Sequence, residues 1–126
     1  LRVETILAIH EMQIAEHGGA LGIRDRSLLE SALARPEQHA AVRGSANDVP
    51  LLSALYAIAI TRNHPFVDGN KRVAFVALEV FLDVNGFQLK VDDESCVYQM
   101  LALASGQTTD EMFIAWVRSN ASRKRR

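Results

Sequence analysis

Apolar residues recur at near-helical spacing from Val3 to His17, at Val3, Ile6, Leu7, Ile9, Met12 and Ile14, and Gly18-Gly19 follow where a C-cap belongs. Residues 18–26 are turn-forming, and Ser27-Leu28-Leu29-Glu30 then has the form of a capping box, opening a short helix that Pro36 is expected to end. Residues 36–48 show no period and read as a loop. Asn47 or Asp48 can cap the next helix, with Pro50 in its first turn, where a missing N–H costs nothing. That helix runs to about Asn63 and is apolar on nearly every face from Leu51 to Ile60, the mark of a helix buried in a core.

A second such helix is expected over about 70–85, after a loop at 64–69. Only Glu79 and Asp83 break its apolar surface, and at four residues apart they form one narrow exposed strip. Asn85-Gly86 ends it, and Phe87-Gln88-Leu89-Lys90-Val91 alternates like a short extended segment. Asp92 or Asp93 caps a helix ending near Gly106, and Thr108-Thr109-Asp110-Glu111 offers a capping box for a last helix bearing Phe113, Ile114, Trp116 and Val117. The pattern predicts an all-α fold of about six helices, two of them buried and flanking the 64–69 loop.

Composition narrows the class. At 126 residues, with 48% hydrophobic and 23% charged positions, the chain suits one globular domain over 1–126. Its apolar runs fall short of the roughly 18 residues that span a bilayer, so no membrane segment is expected. A lone cysteine, Cys96, cannot close an internal disulfide and reads as a small core residue, which fits a reducing, cytoplasmic setting. Leu1 is not a start residue and no signal-peptide pattern follows it, so a few native residues are expected to precede it. The net charge is −1, and taking away the four positive charges of Arg123-Lys124-Arg125-Arg126 leaves a body at about −5. An acidic body argues against a dedicated nucleic-acid binder, and the basic end, residues 121–126, reads as a disordered, solvated tail.

Chemistry concentrates in the loop between the two buried helices. His64-Pro65-Phe66-Val67-Asp68-Gly69-Asn70-Lys71-Arg72 supplies an imidazole, a carboxylate, a glycine, an amide and two cations. The last three residues fall on the first turn of a helix, whose free amides and positive dipole end attract anions. Gly69 would let a phosphate approach the backbone. Plainer readings stand beside these: Asp68 or Asn70 as a simple N-cap, His64-Pro65 as a turn, Phe66 as a core plug, and Lys71 and Arg72 as solvated charges. Two cations at a helix N-terminus oppose the dipole, and make more sense with an anion between them and the backbone. His10, His17 and His39 are isolated, without a second ligand at metal spacing, and read as surface or loop residues.

The segment resembles the Fic-family motif: His, any residue, Phe, any residue, Asp or Glu, Gly or Ala, Asn, Gly or Lys, Arg. His64, Phe66, Asp68, Gly69, Asn70, Lys71 and Arg72 fill its specified positions. Gly18-Gly19-Ala20-Leu21-Gly22-Ile23-Arg24-Asp25 also resembles the corresponding part of the Doc-like, or death-on-curing, toxin branch, and the likeness spans about residues 3–120. The resemblance implies that His64 is the general base that takes a hydroxyl proton and that Asp68 binds Mg2+. It also implies that Asn70, Lys71 and Arg72, with the Gly69 and Asn70 amides, hold the phosphates of ATP. Arg62 matches an arginine of the Doc-like branch that can also meet phosphate. Phosphoryl transfer is largely positioning and charge neutralisation, which suits this residue set.

Two departures separate the chain from AMP-transferring members. Lys71 stands where these carry Gly, and Phe75 where they carry a second Arg; Val76 replaces an Asn of the Doc-like branch. The resemblance therefore implies a toxin that phosphorylates a protein hydroxyl on a translation factor, elongation factor Tu the leading candidate. The pattern of an inhibitory helix, Ser or Thr, three residues, Glu, then Gly or Asn, is absent from the sequence, so restraint is expected from an antitoxin protein in trans. The alternatives are AMP transfer to a protein hydroxyl, a silent binding module on the same fold, and, more remotely, a nucleic-acid-binding helical protein.

Overall fold

The computed structural model describes residues 1–125. Six helices occur in chain order: α1 (Val3–His17), α2 (Arg26–Arg43), α3 (Val49–Asn63), α4 (Asn70–Val84), α5 (Asp93–Ser105) and α6 (Asp110–Asn120). Two three-residue strands, β1 (Phe87–Leu89) and β2 (Ala121–Arg123), pair antiparallel with Phe87 opposite Arg123. The six-helix reading therefore holds, with a small strand pair added to it.

α3 lies at the centre, packed by α2, α4, α5 and α6. Its buried residues run without a break from Leu52 to Thr61, as its all-round apolar sequence requires. α4 buries Val73, Ala74, Ala77, Leu78 and Leu82 against it, and α1 packs on α4. The Asp48 carboxylate caps α3 by accepting the Leu51 amide at 3.3 Å, and Pro50 sits in the first turn. Among the described residues no helix is long and apolar enough to cross a membrane.

Four local expectations are corrected. Pro36 does not end the second helix: α2 continues to Arg43 and closes at a left-handed Gly44. Its buried positions, Leu29, Ala32, Leu33 and Pro36, follow the i, i+3, i+4, i+7 stripe of a helix face. Proline's apolar ring thus extends the face packed on α3, and that burial offsets the hydrogen bond the proline removes. The cap of α2 is Asp25 and not Ser27, because the Asp25 carboxylate accepts both the Ser27 amide at 2.9 Å and the Ser27 hydroxyl at 2.5 Å. Thr109, one residue later than the box beginning at Thr108, caps α6 by accepting the Met112 amide at 3.1 Å. The basic end is ordered as far as β2, and beyond it the Lys124 amide bonds to the Gly86 carbonyl at 2.9 Å and its ammonium pairs with Asp83. Arg126 lies outside the described residues.

Candidate active site

The motif occupies the end of α3, the loop after it and the start of α4. His64 is the C-cap of α3, in the left-handed region at φ 52, ψ 56, a conformation a residue with a Cβ rarely takes. Its amide bonds back to the Ile60 carbonyl at 3.0 Å. Arg24 then holds the helix end from outside: its Nε donates to the His64 carbonyl at 2.8 Å and its Nη2 to the Asn63 carbonyl at 2.9 Å. These are charge-assisted bonds to carbonyls that the helix leaves orphaned. Sequence reading gave Arg24 no such part, since its role exists only once two distant segments meet.

Those segments are the strap from Gly18 to Asp25 and the loop itself. Ile23 bridges Phe66, the Arg24 and Asp25 amides both bond to the Pro65 carbonyl at 2.7 and 3.1 Å, and the Val67 amide bonds to the Gly22 carbonyl at 3.1 Å. Phe66, fully buried, anchors the loop in the core. The Asn70 side chain closes the loop from below, its Oδ1 accepting the Phe66 amide and its Nδ2 donating to the Phe66 carbonyl, each at 2.9 Å. Both its polar atoms thus bond to the loop, and the Asn70 main-chain amide has no partner within α4. Neither Asp68 nor Asn70 is the simple cap of α4; that position is Gly69, with no side-chain bond.

Gly69 has φ +80, a backbone conformation that strains a residue with a Cβ, and a Cβ there would lie 3.4 Å from Ile14 Cδ1, 3.7 Å from Arg72 Nη2 and 3.8 Å from His10 Cδ2. Its amide is taken by Asp68 Oδ1 at 2.8 Å. The amides left free begin one residue on: those of Asn70, Lys71 and Arg72, the first three of α4, have no partner within the helix, whose first cap bond is from the Val73 amide to the Gly69 carbonyl.

Asp68 is exposed, and its Oδ2 also accepts the Ala20 amide at 3.2 Å. The amide donors of Ala20 and Gly69, helped by the charge of Arg72, hold its carboxyl below the ordinary carboxylate range. The donor set suits Mg2+, a hard cation commonly held by one carboxylate together with nucleotide phosphates and water. It does not suit a metal held by protein alone, since no group of three or more His, Cys, Asp or Glu among the described residues could hold one.

His64, Val67, Asp68, Gly69, Asn70, Lys71 and Arg72 surround a pocket of about 240 Å³. The structure thus brings together six of the seven site residues expected from sequence. Arg62 stands apart: its guanidinium pairs with Asp110 at the start of α6, at 2.5 Å, with Arg35 on the same carboxylate at 3.6 Å. Arg72 reaches the Gly18 carbonyl at 3.2 Å, tying α4 to the strap. Lys71 and Arg72 also line a neighbouring depression of about 320 Å³, together with Asp93 and the apolar Phe75, Val76, Val97 and Leu101.

One histidine was misjudged from sequence. His10 is not a surface residue but is buried at 3% exposure under the loop. Its ring stacks on Phe66, centroids 4.0 Å apart and 7° from parallel, and its Nε2 lies 2.9 Å from the Asp68 carbonyl. A signal for this existed, since His10 stands four residues after Ile6 and four before Ile14, on the buried face of α1. His39 is half-buried within α2, its Nδ1 2.7 Å from the Ser45 hydroxyl, and His17 is an exposed helix end.

The expected pair of buried helices is in fact one buried helix, α3, and one, α4, that buries a single face and leaves Lys71, Glu79, Asp83 and Val84 exposed; residues 1–82, the motif and strap included, match the Fic/DOC family. The chain belongs to it. Among its relatives it is 45% identical over 78 residues to Toxin Doc of Mycolicibacterium smegmatis (strain ATCC 700084 / mc(2)155), an alignment covering 60% of this chain and 58% of that protein. It is 31% identical over 114 residues to Protein kinase doc of Escherichia phage P1, covering 90% of this chain and 86% of the relative.

Proposed function

We propose that the chain is a toxin of the Doc type that transfers the γ-phosphoryl group of ATP to a hydroxyl of a translation factor, elongation factor Tu the leading candidate. The observation that carries this is the convergence of one exposed imidazole, one ionised carboxylate and two cations on a single pocket at an uncapped helix N-terminus. The names of the two relatives, a toxin and a protein kinase, support the same reading. A translation-factor target puts the reaction in the cytoplasm.

In this mechanism His64 accepts the proton of the target hydroxyl as its oxygen bonds to the γ-phosphorus. The bond from that phosphorus to the β-bridging oxygen breaks, and ADP leaves. The Asn70, Lys71 and Arg72 amides, with the Lys71 and Arg72 side chains, hold the phosphates and the charge that develops on the leaving oxygen. Asp68, together with the nucleotide phosphates, would hold Mg2+, and the ion would supply further charge neutralisation. Arg62, engaged with Asp110, takes part only if that ion pair opens. Lys71 favours γ-transfer over AMP transfer, because its long cationic side chain stands where Gly leaves room for the bridging phosphates in the AMP-transferring enzymes.

Restraint comes from an antitoxin in trans. Its binding segment is a helix with apolar anchors for the groove of Phe75, Val76, Val97 and Leu101 and an acidic side chain for Lys71 and Arg72 in the same lining. Incubation of the chain with Mg2+, γ-labelled ATP and elongation factor Tu tests the reading: label should enter the factor, and His64→Ala should label it on the order of 100-fold to 10,000-fold more slowly. Labelling by His64→Ala at the wild-type rate would remove the assigned base. Harmless high-level expression of the active chain without any antitoxin would remove the toxin reading.

A further inference from the structure

A backbone carbonyl just outside a helix usually turns to solvent. That of Asp68 instead turns inward to the His10 ring, and a carbonyl can only accept, so the ring nitrogen facing it, Nε2, carries the proton. A buried imidazole on an otherwise apolar stripe costs free energy unless it is bonded in this way, and Phe or Leu would fill the same space without needing a partner. The Asp68 C=O and the Gly69 N–H belong to one planar peptide unit, so fixing the carbonyl fixes the amide. That amide is the donor that holds Asp68 Oδ1 at 2.8 Å. The unit needs such a hold, because Gly69, at φ +80, is the residue around which it could most readily turn.

We propose that His10 is a positioning residue for the candidate site: its Nε2–H on the Asp68 carbonyl, with its ring stacked on Phe66, locks the Asp68–Gly69 peptide and so aims the Asp68 carboxylate. The proposal rests on the reading of Asp68 as the Mg2+ carrier. Phe66 and His10 form a two-ring stack beneath the loop, so the main chain from 66 to 68 is held from α1 below and by the strap beside it. α1 thereby contributes to the site from beneath, through a side chain that does not line the pocket.

The test uses the full chain with two variants. His10→Phe keeps an aromatic ring on Phe66 and removes the donor, and His10→Gln returns an N–H near the Nε2 position. Binding of ATP with Mg2+ is measured by calorimetry in the absence of protein substrate, and phosphoryl transfer separately. His10→Phe should melt within a few degrees of wild type, bind ATP with Mg2+ on the order of 10-fold to 100-fold more weakly, and lose kcat to a similar extent, with KM for the protein substrate unchanged. His10→Gln should recover most of both losses. Wild-type binding and transfer by His10→Phe would overturn the proposal, as would a His10→Gln chain that folds but recovers nothing. Nitrogen NMR of the wild-type ring gives a readout independent of activity and of whether a variant folds. An Nε2-protonated tautomer supports the proposal, and an Nδ1-protonated one overturns it. Failure of the wild-type chain itself to bind ATP with Mg2+ would instead count against the proposed function, leaving the tautomer to decide the positioning role.

Discussion

His64 occupies a left-handed backbone conformation that strains most residues other than glycine, at a cost on the order of 1 to 3 kcal/mol. The cost is met by the Arg24 clamp on its carbonyl and the bond of its amide to Ile60, and the outcome is an exposed imidazole at the pocket rim. Two substitutions separate these contributions. His64→Ala should lose on the order of 100-fold to 10,000-fold in transfer rate while keeping its melting temperature, because an exposed side chain is removed and the strain stays. His64→Gly should be equally inactive yet more stable than His64→Ala by about 1 kcal/mol, measured by urea unfolding, because the left-handed conformation no longer costs anything. Equal stability of the two would mean that the loop is not strained at this residue.

The strap offers a paired case. A Cβ on Gly19 would come within 2.5 Å of Asp68 Oδ2, whereas one on Gly18 would meet nothing within 4 Å, although both glycines have positive φ. Gly18→Ala and Gly19→Ala should therefore lose similar stability from the backbone and differ in transfer. Gly19→Ala should be slower by at least about 10-fold because it pushes the Asp68 carboxylate aside. Identical transfer by the two variants would show that this carboxylate need not be held where the strap holds it.

Among the elements, α3 carries the site on its C-terminus and is secured at its N-terminus by Asp48. That carboxylate also takes two bonds from Arg118 of α6, at 2.9 and 2.7 Å. The Arg118 hydrogen bonds hold the Asp48 carboxyl below its ordinary value, against the opposing pull of burial. Protonation therefore favours the unfolded chain. The stability from this pair is complete above the unfolded carboxylate value of about 3.9 and is lost as pH falls through the lower folded value. Both partners are partly exposed, so solvent screening limits the ion pair to about 1 kcal/mol, with a similar amount for the cap. Arg118→Ala should lower the melting temperature by a few degrees at pH 7 and by less near pH 2. An unchanged deficit at low pH would show that Arg118 acts through packing and not through Asp48.

The elements also show what a sequence reveals by itself. α3 was legible end to end because it is apolar on all sides and marked by Asp48, Pro50 and a polar C-terminus, signals that need no knowledge of the partners. The second half of α2 was not. Pro36 is a strong local breaker, and only the core against which its ring packs reveals why the helix continues. The strand β2 was hidden in a basic tail because its partner lies more than thirty residues earlier. At the site, the motif announced which residues gather, since all but Arg62 fall on one continuous segment, 64–72, from the cap of α3 to the first turn of α4. The uses of their atoms were not legible: that Asn70 would spend its side chain on Phe66, that the Gly69 amide would serve Asp68, and that His10 would lie beneath them depend on how α1, the strap and the loop dock.

For the whole molecule, Lys71 and Arg72 stand where the polar pocket and the apolar groove meet, so the two depressions share their cations. A partner helix in the groove and the phosphates of ATP would compete for the same charges. The proposed antitoxin should accordingly weaken ATP binding, and by linkage ATP should weaken antitoxin binding by the same factor. The central claim is more specific, that Lys71 makes the γ-phosphate the one that moves, and paired labelling with Mg2+ and elongation factor Tu tests it most directly. The account predicts label on the protein from γ-labelled ATP, none from α-labelled ATP, and a weakened or reversed preference in Lys71→Gly. Transfer of the α label by the unaltered chain would contradict it and leave AMP transfer as the activity of this site.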